Sequence, residues 1–266
     1  MVIAEHEMKG MTAEQLEHYH EHGWVILRGL LDSTEVEKIH AMTRRIEDEV
    51  QGGADDFTRD GAHYNFERVN GTELKSISGP GEVRQGVLRK IQEPFLNEKD
   101  FVDVCSSEKV LDCVEQVIGE TIYYHSSKLM FKPPHGGRQK PWHQDFAYWP
   151  DMKGKQMTVW FAIDPATKEN GCIQAWDYSH KKGLIQHHGG ELQISEDMVP
   201  KEEIVFAEME PGDVLFFDVL TFHSSAPNHS ENPRLCCIMD FQEIFQDNNP
   251  HAKIAEPLRA PEEVRA

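Results

Sequence analysis

Two hydrophobic periods follow one another along the chain. Up to about residue 120, apolar positions recur at helical spacing. Thr12-x-x-Gln15 is a capping box that opens a short helix ending near Gly23. Asp32-x-x-Glu35 opens a second helix, with Val36, Ile39, Met42, Ile46 and Val50 on one face. Residues 51–82 are polar and contain many Gly, which predicts a long loop of the functional or mobile kind. A third helix, over about 107–118, carries Val110, Leu111, Val114, Val117 and Ile118 and stops at Gly119.

From residue 121 the period shortens. β-rich segments at 121–131, 157–163, 171–176, 203–208, 213–223 and 235–244 alternate with breaks such as Pro133-Pro134, Gly136-Gly137, Pro211-Gly212 and Pro233. Many short strands with such punctuation predict a sandwich or barrel. The expected fold is mostly β with flanking helices, in one domain over 1–266. Its parts are a mainly helical flank to 120, a β-barrel core at 121–245 and a C-terminal tail at 246–266.

Length and composition agree with one sizeable core: 266 residues, 39% of them apolar. No stretch approaches the roughly 18 apolar residues of a membrane span, and no apolar leader precedes Glu5, His6 and Glu7. The net charge of −19 disfavours nucleic acid and anionic membranes as partners, leaving a small-molecule substrate. The five cysteines are odd in number and include no C-x-x-C. Reduced thiols and a cytoplasmic location fit them, with Cys236 and Cys237 in the core.

The strongest chemical signal is Trp142-His143-Gln144-Asp145. On a strand, residues i and i+2 share a face, so His143 and Asp145 can reach one metal ion. His223, at the end of the apolar stretch from Leu215, supplies the second His of a two-His, one-carboxylate face. That set suits Fe(II) and leaves three octahedral positions, two for a bidentate keto-acid and one for O2. Arg234 follows His223 across a polar turn. A hairpin symmetric about Asn228 and His229 would set the two opposite each other, with a guanidinium ready to grip the far carboxylate of a dicarboxylic acid. His20-Glu21-His22 and His187-His188 lie in polar contexts and read as solvated. No G-x-S-x-G, H-E-x-x-H, Walker A or G-x-G-x-x-G occurs.

With these residues in hand, the chain resembles the phytanoyl-CoA dioxygenase family of 2-oxoglutarate oxygenases, from about residue 12 to about 245. The likeness covers Tyr19…Gly23-Trp24-Val25, Lys132-Pro133-Pro134, His143-Gln144-Asp145, Glu169-Asn170-Gly171-Cys172, Pro211-Gly212-Asp213 and His223…Arg234. It implies a double-stranded β-helix, or jelly roll, and Fe(II), 2-oxoglutarate and O2 as the reacting cofactors. It also implies His143, Asp145 and His223 as iron ligands and Arg234 as the cosubstrate clamp. By the same resemblance Ser225 is a second partner of the cosubstrate carboxylate, Trp160 lines its pocket and Lys90 is a basic residue near it. The expected reaction is hydroxylation of a small organic molecule; the alternatives are a sensor on the same scaffold and a cupin-type hydrolase or isomerase.

Two segments depart from the family or mark a branch of it. Trp176-Asp177-Tyr178-Ser179-His180 stands where the family usually has Pro-Gly-Ser-His. Phe146-Ala147-Tyr148-Trp149 is similar to relatives that act on small amino-acid-like molecules, such as the ectoine and proline hydroxylases. Acyl-CoA stays open as a substrate, with Lys128, Lys132, Arg138 and Lys140 as groups that could face phosphates.

Overall fold

The capping boxes form as the sequence predicts. Thr12 and Gln15 exchange bonds at the start of α1 (Ala13–His22), and Asp32 and Glu35 do so at the start of α2 (Ser33–Glu49). The computed structural model describes residues 10–50, 55–66, 88–137, 139–190, 192–246 and 254–261. Two further helices follow, α3 (Lys99–Cys105) and α4 (Glu108–Ile118). The sequence pattern predicts α4 and passes over the short α3.

Strands form two antiparallel sheets. In chain order they are β1 (Trp24–Leu27), β2 (Phe57–Arg59), β3 (Ala62–Phe66), β4 (Leu88–Gln92), β5 (Tyr123–Lys132), β6 (Lys140–His143), β7 (Gln156–Ala162), β8 (Ile173–Trp176), β9 (Ile204–Ala207), β10 (Val214–Asp218), β11 (His223–Ser225) and β12 (Arg234–Gln242). The larger sheet runs β1-β10-β7-β12-β5-β4-β3-β2 and the smaller β6-β11-β8-β9. Four strands of the larger sheet thus come from the first 120 residues, a stretch that reads as mainly helical from sequence. Part of the predicted 51–82 loop is the β2–β3 hairpin, turned by Asp60 and Gly61, both with positive φ. That Asp-Gly pair is a hairpin signal in its own right. Residues 67–82 of the predicted loop lie outside the described residues.

Alternation along the strands of the larger sheet decides which side chains face the second sheet. Val159, Phe161, Val214, Phe216, Cys237 and Met239 pack with residues of all four helices in the main core. Their neighbours Trp160, Ala162, Leu215, Phe217 and Cys236 pack with Ile173 and Ala207 of the smaller sheet in a second cluster. A period of two therefore aims Thr158 and Trp160 of β7, Arg234 of β12, and Lys128 and Lys132 of β5 into the space between the sheets. The five cysteines are all free and buried, Cys236 and Cys237 in the core as expected. Among the described residues no helix is long and apolar enough to cross a membrane.

Candidate metal and cosubstrate site

The smaller sheet brings two histidines side by side. His223 opens β11 and is the direct register partner of His143, the last residue of β6. The apolar run from 213 is not one strand ending at His223. It breaks after Asp218, where the Leu220 and Thr221 amides fold back onto Asp218. β10 lies in the larger sheet and β11 in the smaller.

Asp145 is likewise not on the strand with His143. β6 ends at His143, and Asp145 begins a single 3-10 turn. Gln144 ends the strand there. Its side chain donates to Gly183 O and Leu220 O and accepts from the Ile185 N–H, so the buried amide ties three segments together. The carboxylate nevertheless reaches both rings, with Oδ1 3.5 Å from His143 Nε2 and Oδ2 3.8 Å from His223 Nε2. Ligand atoms of the three residues all lie within 4.8 Å of one another, and all three residues are buried.

The other ring nitrogens settle how the group can serve a metal. His143 Nδ1 lies 2.8 Å from Pro141 O and 3.1 Å from His223 O, and His223 Nδ1 lies 3.1 Å from Thr221 O. A carbonyl only accepts, so each Nδ1 carries a proton and each Nε2 is the nitrogen turned toward Asp145 and left for a metal. Burial, with His223 and Lys140 adding to it, pushes the His143 imidazole down to about 3, so it stays neutral. Burial raises the Asp145 carboxyl, but His223 and His143 outweigh it and hold the group well below the usual carboxylate range. One carboxylate and two imidazoles are the donor set of non-haem Fe(II) sites with open positions.

A cavity of about 760 Å3 opens on this triad. Its lining includes Lys90, Trp160, Ser225 and Arg234, so every residue expected at the cosubstrate borders the same space as the triad. Arg234 does not face His223 across a hairpin. β11 pairs with β6 and β8, whereas β12 pairs with β5 and β7. The turn between them crosses from one sheet to the other and is held by the buried Asn228, which donates to Lys132 O and Asn232 O. Arg234 reaches the cavity from the larger sheet, its guanidinium 5.4 Å from the centre of the buried Trp160 ring. Nη1 donates to Gly171 O, and Nε has no partner.

Several residues of the site carry no chemical assignment in the sequence reading. Thr158 Oγ1 lies 2.9 Å from both Asp145 Oδ2 and Asp240 Oδ1. Lys132, quoted there as part of a Lys-Pro-Pro stretch and as a group that could face phosphates, is buried and donates to Ser225 Oγ at 2.9 Å and to Ala226 O. Its inward aim is readable only once β5 is known to face the second sheet. The histidines read as solvated are partly engaged. The His22 ring pairs with Asp177 and lies between His18 and Tyr178, while His187 accepts from the Gln144 N–H and stacks on Phe222. The Trp176–His180 departure supplies that Asp177, which also accepts from Trp24 Nε1.

The chain matches, over residues 19–236, the family model described as Phytanoyl-CoA dioxygenase (PhyH). It is 30% identical over 231 residues to a Stutzerimonas stutzeri protein named "Probable alpha-ketoglutarate-dependent hypophosphite dioxygenase", covering 83% of this chain and 74% of that one. It is 27% identical over 237 residues to the peroxisomal phytanoyl-CoA dioxygenase of Homo sapiens, covering 84% and 66%. Among solved structures, apo EctD from S. alaskensis superposes with a TM-score of 0.70 at 19% identity, covering 96% of this chain and 89% of that one. The fold is therefore the jelly roll of the 2-oxoglutarate oxygenases.

Proposed function

The chain belongs to the phytanoyl-CoA dioxygenase family of Fe(II)- and 2-oxoglutarate-dependent oxygenases, and from that premise we propose that it hydroxylates an unactivated C–H bond of a small organic metabolite, with succinate and CO2 as coproducts. One observation carries the reading: a His143–Asp145–His223 group whose rings are fixed by backbone carbonyls shares a cavity with Arg234, Ser225 and Trp160. Bound Fe(II) supplies the activation of O2, coupled to the oxidative decarboxylation of 2-oxoglutarate.

The chain's own residues do the rest. His143, Asp145 and His223 hold the metal, their orientations set by Pro141 O, Thr221 O and the Thr158 hydroxyl. Arg234, Ser225, Trp160 and Lys90 receive the cosubstrate, Arg234 offering its charge and unpartnered Nε to the distal carboxylate. Trp160 and Phe217 line the cavity with apolar surface that keeps water from the reacting centre. The substrate then approaches through the remaining lining, which includes Lys128, Lys140, Tyr148 and Trp149. A hydrolase of cupin type calls for a His-x-His pair with a following Glu on the barrel strands, a set the triad does not supply.

The test is a screen for substrate-stimulated succinate release with Fe(II) and 2-oxoglutarate, followed by mass spectrometry of the product. Gain of one oxygen atom is expected. Succinate release with loss of two hydrogens instead would replace hydroxylation by desaturation or ring closure. No succinate release, together with no visible charge-transfer band on anaerobic addition of Fe(II) and 2-oxoglutarate, would remove the oxygenase reading.

A further inference from the structure

Lys132 and Arg234 are direct register partners on β5 and β12, and both are buried. Like charges set opposite each other on neighbouring strands repel, and a buried charge is costly until an opposite one meets it. Among the described residues no carboxylate forms an ion pair with either. Asp164 feels Arg234, but its carboxylate accepts the Leu235 N–H at 2.7 Å and faces His40 Nε2 at 3.3 Å. The other titratable groups that act on Lys132 are the thiols of Cys172 and Cys236, which burial pushes up to about 11 and about 12 and so keeps neutral. Two basic side chains thus meet at one end of the cavity with no carboxylate of the described residues between them.

Backbone packing brings them together. Gly171 has φ +79°, and a Cβ there would run into Ala226 O and lie 3.1 Å from Lys132 Nζ. Gly171 O takes Arg234 Nη1, and Ala226 O takes Lys132 Nζ. Only glycine allows this approach. Lys132 also donates to Ser225 Oγ, which leaves the serine proton free to point at a ligand.

We propose that Lys132 is a second cationic anchor for the distal carboxylate of 2-oxoglutarate, acting with Arg234 and Ser225, so that this end of the cavity demands a dicarboxylate 2-oxo acid. The inference rests on the proposed function and adds to it a residue with a specificity role. It also removes Lys132 from the groups available to phosphates of an acyl-CoA.

A proton is linked to this anchoring. In the empty cavity burial, and then Arg234, push the Lys132 ammonium well below its usual range. A neutral amine still has two N–H groups for Ser225 and Ala226; the third donor comes only with the positive charge. A carboxylate between the two cations opposes both effects and raises the group again. Cosubstrate binding therefore draws protons from solvent. Affinity is highest below the empty-cavity value, falls by about tenfold per pH unit above it, and levels off above the bound-state value.

The test is titration calorimetry on full-length protein loaded anaerobically with Fe(II), with 2-oxoglutarate as the ligand, from pH 6 to 9.5 in two buffers of different ionisation heat. Wild-type protein is expected to take up a measurable fraction of a proton and to bind 2-oxobutyrate, which lacks the distal carboxylate, far more weakly. Lys132→Met is expected to weaken 2-oxoglutarate binding about tenfold and to abolish the uptake, whereas Arg234→Leu weakens binding and keeps part of the uptake, because burial alone still lowers Lys132. Thermal melting of each variant separates these effects from unfolding. The wild-type proton measurement needs no substitution, so it decides the matter even if Lys132→Met fails to fold. Binding of 2-oxoglutarate with no proton uptake, or with affinity indifferent to Lys132→Met, would overturn the role of Lys132 and leave the oxygenase reading standing. No binding at all to Fe(II)-loaded wild-type protein would remove both.

Discussion

The two ends of the cavity are built on opposite electrostatic plans. At one end the His143 imidazole is neutral, Asp145 is ionised, and both histidines turn Nε2 toward that carboxylate. At the other, Lys132 and Arg234 face each other with no acidic partner between them among the described residues. The first end is prepared for a divalent cation and the second for an anion. Each comes from its own sheet: the imidazoles from β6 and β11, the cations from β5 and β12. Both ends border one cavity, which on the proposed function receives a molecule with a metal-chelating head and an anionic tail. The whole chain carries a formal charge of −19, so the positive end is a local property that net charge conceals.

The largest break in this contrast comes at Asp145. Asp145→Gly removes the carboxylate of the triad and leaves two imidazoles. Iron affinity is expected to fall by more than the roughly 10–100-fold typical of changes one shell further out, and turnover with it. Iron content after desalting and loss of the anaerobic charge-transfer band measure the effect. The carboxylate also occupies an anion position on the metal. In excess chloride the wild-type product should therefore carry oxygen and no chlorine; a chlorinated product would overturn the role given to Asp145.

At the opposite end Arg234→Leu deletes the charge and the unpartnered Nε. The apparent 2-oxoglutarate requirement should rise at least about tenfold, because a charge-assisted pair contributes about 1.5–3 kcal/mol. Iron binding without cosubstrate should be unchanged, which is the sharper half of the prediction. A variant that lost iron as well would mean that the two ends are not independent. An unchanged 2-oxoglutarate requirement would mean that Arg234 serves only Gly171 O and the Trp160 ring.

The metal end was more legible in the sequence than the anionic-ligand end, for a physical reason. His143 and Asp145 lie two residues apart, and local spacing survives even though Asp145 leaves the strand. His223 was found with them, although the strand assumed to carry it is two strands in two sheets. Arg234 does line the cavity, but not through the hairpin the spacing suggests: the turn at 226–233 changes sheets, and polar turn residues do not reveal that. Lys132 depends on which face of β5 is inward. The residues on either side of that strand decide it, and Leu129 and Phe131 point at the helices. Helix caps were read to the residue because a capping box is a local bargain between four residues. The β2–β3 hairpin was lost in a polar stretch despite its Asp60-Gly61 turn, since a short exposed hairpin lacks the apolar alternation that marks buried strands.

The smallest expected effect tests how the metal end keeps its single negative charge in place. Thr158 Oγ1 lies between two carboxyl groups, Asp145 and Asp240, yet has one proton to give. Burial raises the Asp240 carboxyl, Asp145 raises it further, and Lys128, Ser126 and Thr158 only partly oppose this. Ser126 and Lys128 already serve Asp240, so the Thr158 proton is available to Asp145 Oδ2, where it aligns that carboxylate for the metal. Thr158→Val keeps the shape and removes the hydroxyl. Asp240 retains Ser126 and Lys128 as partners, so the core should hold. Iron affinity is expected to fall about tenfold, at the low end for loss of an orienting hydrogen bond. Proton uptake on cosubstrate binding should stay as in wild type, because Lys132 belongs to the other end. Iron titration followed by calorimetry reads both quantities on one sample. Unchanged iron affinity would show that the imidazoles alone orient Asp145, and altered proton uptake would show that the buried polar groups of the two ends form one network.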